Sequence, residues 1–153
     1  MANVSLLPLV PTETLGRGVF SKNQKKRLEK DQTDHTVFME KPAVDVISID
    51  RLDHASTEVM AGIGDQVAAQ RSVPGNPSRT FYGWATITVD EAGRDGRTVE
   101  NKPIFWNPYH CEIMFNITDE EKRRELQIQH AHALATLAKW RQRPSPISRT
   151  YPI

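Results

Sequence analysis

Between residues 81 and 89 the chain alternates with period two. Phe81, Gly83, Ala85, Ile87 and Val89 fall on one side, and Tyr82, Trp84, Thr86 and Thr88 fall on the other. Successive side chains of an extended backbone point to opposite faces, so the pattern requires a strand and a sheet to receive it. A second alternating stretch at 109–115 sets Tyr109, Cys111, Ile113 and Phe115 against His110, Glu112 and Met114. Val46-Ile47-Ser48-Ile49 is rich in branched residues and predicts a strand over 44–50, while 35–39 reads as another β segment and 97–100 as a short one.

Two stretches change to helical spacing. Val59, Met60, Ile63 and Val67 form one stripe of a helix over 56–71, which Asp53 or Ser56 can cap. Gly62 and Gly64 each weaken it by up to about 1 kcal/mol relative to alanine. Thr118-Asp119-Glu120-Glu121 has the form of a capping box and predicts a long helix over 118–143. Its stripe is Leu126, His130, Ala133, Leu134, Leu137 and Trp140, with Lys139, Arg141 and Arg143 complementing the dipole and Pro144 ending it. The polar stretch 21–32 is a solvated loop or a short helix anchored by Leu28. Segments 72–78, 90–96 and 103–108 read as loops and turns.

The expectation is an α+β domain at 16–143, with an antiparallel or mixed sheet of four to five strands packed by two helices, the longer at the C-terminus. An apolar arm at 1–15, interrupted by Pro8 and Pro11, docks on its own domain or on a partner, and 144–153 is a tail. The 153 residues suit one domain, and 20 basic against 19 acidic residues argue against a duplex grip across a whole face. One cysteine, Cys111, permits no internal disulfide and no Cys-based zinc site. A leader is not expected from residues 1–10, nor a membrane span, and the expected location is cytoplasmic. P-loop, G-x-S-x-G and H-E-x-x-H motifs do not occur, Gly16-Arg17-Gly18 lacks the third glycine of a dinucleotide loop, and no cofactor is implied.

Two polar clusters could carry chemistry. In Ser48-Ile49-Asp50-Arg51-Leu52-Asp53-His54 a strand runs into a helix, and Arg51 could clamp an anion with Asp50 and His54 beside it. The plainer reading is an Asp50–Arg51 salt bridge and a surface His54. In Asn107-Pro108-Tyr109-His110-Cys111-Glu112, alternation puts His110 and Glu112 on one face, as an acid/base and its orienting carboxylate or as a solvent-facing pair. Asn107 and Tyr109 join the candidate ligand-binding set. Cys111 falls on the apolar side as a buried, inert thiol. His130 and His132 are spaced i,i+2 and diverge around a helix, so His130 reads as a hydrogen-bonded core histidine and no metal site is expected. Lys22, Lys25, Lys26 and Arg27 form the densest basic run, a solvated face or a weak nucleic-acid contact.

Ser48-Ile49-Asp50-Arg51-Leu52, Tyr82-Gly83-Trp84-Ala85 and Asn107-Pro108-Tyr109-His110-Cys111-Glu112-Ile113 together resemble a group of small uncharacterised bacterial proteins. That group has an S-V-D-R segment and a later N-P-x-H-A-x-I segment, and the resemblance covers about residues 15–116, with Cys111 in place of alanine. It implies that Arg51 and His110 belong to one constellation. Two functions are therefore carried forward. The first is an accessory or protein-interaction module, pairing with another protein or with itself through the N-terminal arm. The alternative is a small enzyme or binder of a phosphate-bearing substrate (nucleotide or RNA), with Arg51 as anion clamp, His110 as acid/base and Glu112 as its orienter.

Overall fold

The computed structural model describes residues 7–39, 45–72 and 79–145. The fold is α+β and is built on one six-stranded sheet of order β4-β5-β2-β1-β3-β6, every neighbouring pair antiparallel. The strands are β1 (Thr14–Val19), β2 (Val46–Arg51), β3 (Gly83–Thr88), β4 (Thr98–Asn101), β5 (His110–Met114) and β6 (Lys139–Gln142). The helices are α1 (Lys22–Glu29), α2 (Thr57–Arg71), α3 (Val89–Ala92) and α4 (Arg123–Leu137). No helix among the described residues is long and apolar enough to cross a membrane.

The sheet separates two apolar clusters. On one face Leu15, Ile47, Ile49, Ala85, Ile87, Cys111 and Ile113 meet Leu134 and Ala135 of α4, together with Val37 and Phe38. On the other face Trp84, Leu52 and Phe81 meet Met60, Ala61, Ile63 and Ala68 of α2. Ser56 caps α2 by accepting from the Val59 amide at 3.1 Å. Along this helix the buried positions are Met60, Ala61, Ile63, Gly64 and Ala68, whereas Val59, expected on the stripe, is exposed. The helix lies close where its residues are small. A Cβ on Gly64 would come within 2.6 Å of the Phe81 ring.

Several expectations are corrected. Residues His35–Phe38 form a 3-10 helix, not a strand, because the Asp34 carboxylate accepts from the Thr36 amide at 3.0 Å and turns the chain at once. Of the two alternatives for 21–32, loop or short helix, the helix is the one that forms, with Leu28 buried as its anchor as expected. The capping box at 118–121 does not form. The Asp119 side chain instead accepts from the Glu121 and Lys122 amides, and α4 starts at Arg123 without a side-chain cap. The same helix stops at Leu137 and the chain straightens into β6. α2 and α4 therefore each span 15 residues, and the C-terminal helix is not the longer.

Two strands beyond obvious apolar alternation raise the count to six. β6 covers what would otherwise be the open edge of β3, and Trp140 pairs with Ala85 across the ladder instead of completing a helical stripe. Gly83 has φ +148, and a Cβ there would strike the Arg141 carbonyl, so only glycine lets β6 approach. β1 lies between β2 and β3, so Thr14 and Leu15, expected in the arm, belong to the sheet. Phe81 precedes β3 and turns to the α2 side, meeting Trp84 edge-on with ring centroids 5.0 Å apart. That overturns its expected place on the Ala85 face.

Candidate functional site

Period two in β2 sends Arg51 and Asp50 to opposite faces of the sheet. Arg51 is fully buried on the side of Cys111. Its Nε and Nη2 donate to the two carboxylate oxygens of Glu13 at 2.5 and 2.8 Å, and its Nη1 donates to the Leu7 carbonyl and to Asn101 Oδ1 at 2.8 and 3.1 Å. His54 Nε2 completes the group, 3.0 Å from Arg51 Nη2 and 3.3 Å from Glu13 Oε1. This network ties the N-terminal segment to β2 and β4. The Asp50–Arg51 salt bridge expected from adjacency does not form, since adjacent strand residues cannot face each other. For the same reason Arg51 and His110 do not converge, and the guanidinium drawn as an anion clamp has its donors committed inside the fold.

The opposite face holds a different constellation. Asp50 and His110 stand directly across the β2–β5 ladder, with Gly16 opposite Asp50 on β1. Asn107 is buried and donates from Nδ2 to Asp50 Oδ1 at 2.8 Å, while its own Oδ1 accepts from the Tyr109 amide at 3.0 Å. The turn carrying Asn107 is closed by reciprocal backbone bonds with Ile104 of 3.0 and 3.1 Å. His110 Nδ1 lies 2.6 Å from the Lys102 carbonyl oxygen. A carbonyl can only accept, so Nδ1 carries a proton and Nε2 is the nitrogen left for other partners.

Burial pushes the Asp50 carboxyl up from its ordinary value, against the Asn107 hydrogen bond and the charges of His110 and Arg17. Among the described residues no cation lies within salt-bridge distance of it.

These groups form the polar floor of a cleft of about 400 Å³ between α2 and the sheet. Its walls are Phe20, Phe81, Trp84 and Trp106, and Gln70 and Arg71 of α2 line it too. The Arg71 guanidinium sits over the Phe20 ring, 4.7 Å from its centroid. Gly16 on the floor has no room for a side chain, since a Cβ would come within 2.8 Å of Trp84 Cδ1.

Of the expected site residues, Asp50, Asn107 and His110 are brought together, and Tyr109 supports the turn from the apolar cluster under α2. Arg51 and His54 belong to the other network. Glu112 shares the His110 face but lies opposite Ser48 and Glu100, so the Lys102 carbonyl, not Glu112, orients the imidazole. The aromatic walls and Lys102 lie outside the two polar clusters of the sequence. Trp106, in the proline-bounded stretch 103–108 next to Asn107, was the signal available.

Cys111 is buried as expected, and burial pushes its thiol up to about 12. His130, in contrast, is hydrogen-bonded but only half-buried, because α4 buries Gln127, Ala131, Leu134 and Ala135 and shares only Leu134 with the expected stripe. His130 stacks on Phe115 with centroids 5.0 Å apart and accepts at Nδ1 from Arg97 Nη1 at 3.0 Å, while His132 diverges to stack on His35. Burial and then the Arg97 charge push His130 below its ordinary value. Comparison with protein-family models, with curated proteins and with solved structures finds no match to this chain.

Proposed function

We propose that this chain is a small-ligand-binding protein, with the ligand in the cleft between α2 and the sheet and His110 available to exchange a proton with it. The single observation that supports this most is the convergence of Asp50, His110 and Asn107, from two strands and one turn, on the floor of a concave aromatic-walled space. Among the described residues the Asp50 carboxylate lies under apolar walls with no cation at salt-bridge distance, the charges of His110 and Arg17 acting from farther off, which costs stability unless something else is gained. This reading keeps His110 as acid/base and replaces Arg51 with Asp50 as the charged group.

A ligand-observed NMR screen of fragments against the intact chain tests it. Fragments should bind, and Trp106→Ala should abolish most hits while lowering the melting temperature without loss of the folded circular-dichroism spectrum, since Trp106 also packs on the apolar cluster under α2. A screen in which no fragment binds, or in which every hit survives Trp106→Ala, rejects the cleft.

A second reading, the protein-interaction module, is favoured by one feature. Phe105 is fully exposed at the tip of the turn beside Trp106, next to Ile104, also exposed. In this reading the turn is the contact; of the N-terminal arm, residues 1–6 lie outside the described residues, Leu9 packs on the core, and Leu7 and Val10 are exposed. Light scattering behind size-exclusion chromatography at several concentrations, on the native chain and on Phe105→Ser, measures self-association. A concentration-independent monomer in both removes the self-association arm of this reading.

A further inference from the structure

We infer that the cleft takes a flat nitrogen cation, of the amidinium or guanidinium class, seated with its N–H groups on Asp50 and His110 and its plane between the aromatic walls. The inference rests on the small-ligand reading above and adds the chemistry of the ligand.

The floor is rich in acceptors. Asn107 is buried; it spends one of the two N–H groups of Nδ2 on Asp50 and its Oδ1 on the Tyr109 amide, so the carboxylate and the imidazole, not Asn107, present the floor's exposed acceptors. Asp50, when ionised, has acceptor capacity beyond the single bond from Asn107. In the neutral imidazole, the proton at Nδ1 toward Lys102 leaves Nε2 an acceptor. An anion seated against the floor would face the Asp50 carboxylate, whereas the cationic Arg71 and the amide Gln70 of the lining belong to α2. A group with two N–H donors in one plane finds acceptors from adjacent strands, and charge-assisted bonds to a carboxylate are the stronger kind.

The walls agree with the floor. Phe20, Phe81, Trp84 and Trp106 line the cleft, and aromatic rings attract a cation at their faces and accept a flat group by stacking. Arg71 over Phe20 shows the same pairing made within the protein at the edge of the cleft. Burial of Asp50 also fits, because a bound cation restores the charged carboxylate that burial disfavours.

The test uses three probes of one shape, benzamidine, benzamide and benzoate, titrated into the intact chain with tryptophan fluorescence as readout. Two of the three tryptophans, Trp84 and Trp106, line the cleft. Benzamidine should bind saturably and benzamide and benzoate about tenfold or more weaker, the discrimination one charge-assisted pair gives. Asp50→Asn should reduce benzamidine binding by a similar factor and leave benzamide unchanged, in a variant whose circular dichroism and melting match the native chain.

Equal binding of benzamide and benzamidine overturns the cation while leaving the cleft as a ligand site. So does preference for benzoate. Benzamidine binding that survives both Asp50→Asn and His110→Gln also overturns it, because the cation is then held elsewhere. If none of the three probes binds, the cation is rejected, and the fragment screen decides separately whether the cleft binds anything. Should Asp50→Asn fold poorly, the probe series on the native chain still decides.

Discussion

At Glu13, burial alone would raise the carboxyl, but hydrogen bonds from Arg51 and His54 and their charges outweigh it and hold the group below its ordinary value of 4.5. A carboxylate depressed in the folded state stabilises the fold at pH above its unfolded value. That contribution is lost as pH falls from about 4.5 through the lower folded value. Glu13→Gln should therefore flatten the acid limb of the stability curve. At neutral pH it should cost roughly 3–5 kcal/mol, the penalty for leaving buried Arg51 without its counter-charge. Urea unfolding between pH 3 and 7 measures both effects. A variant within 1 kcal/mol of native (about a fivefold change in equilibrium constant) would show that the network is not the brace described.

At the scale of the element, α2 shows how one helix both covers the sheet and leaves a gap. Its two interior glycines look equivalent in sequence and are not. Gly62 meets nothing within 4 Å, so Gly62→Ala should stabilise by about 0.5–1 kcal/mol through helix propensity. Gly64 faces Phe81, and Gly64→Ala should destabilise by roughly 1–3 kcal/mol from overpacking. Paired thermal melts check the contrast, and similar shifts in both variants would mean that α2 is not seated on Phe81. The end of α4 is decided in the same way. Leu134, Leu137 and Trp140 satisfy helical spacing, yet the ladder along β3 offers bonds that a further helical turn would forfeit, and Trp140 packs on the core from β6.

For the whole molecule, Cys111 reports cooperativity. It lies in β5 between β2 and β4, fully buried, with its thiol raised to about 12, so no native route supplies a thiolate to a reagent at pH 8. Labelling by a disulfide reagent should follow global unfolding, slowing by on the order of a thousandfold or more relative to the denatured chain. Rapid labelling without loss of circular dichroism would place an opening between β5 and its neighbours.

Local periodicity, branched residues and proline by themselves determined the α+β class, β2, β3 and β5, the existence of α2 and α4, the burial of Cys111 and the shared face of His110 and Glu112. Each depends on neighbours a few residues apart, and short-range backbone geometry suffices to read it. Tertiary structure alone decided that β1 lies inside the sheet, that 139–142 is an edge strand, and that Asp50 meets Asn107, 57 residues away, while Arg51 meets Glu13, 38 residues away. Cross-strand partners follow from register and from which edge each strand finds. For that reason Asp50 and Arg51, adjacent in the chain, serve a cleft on one face of the sheet and a buried brace on the other.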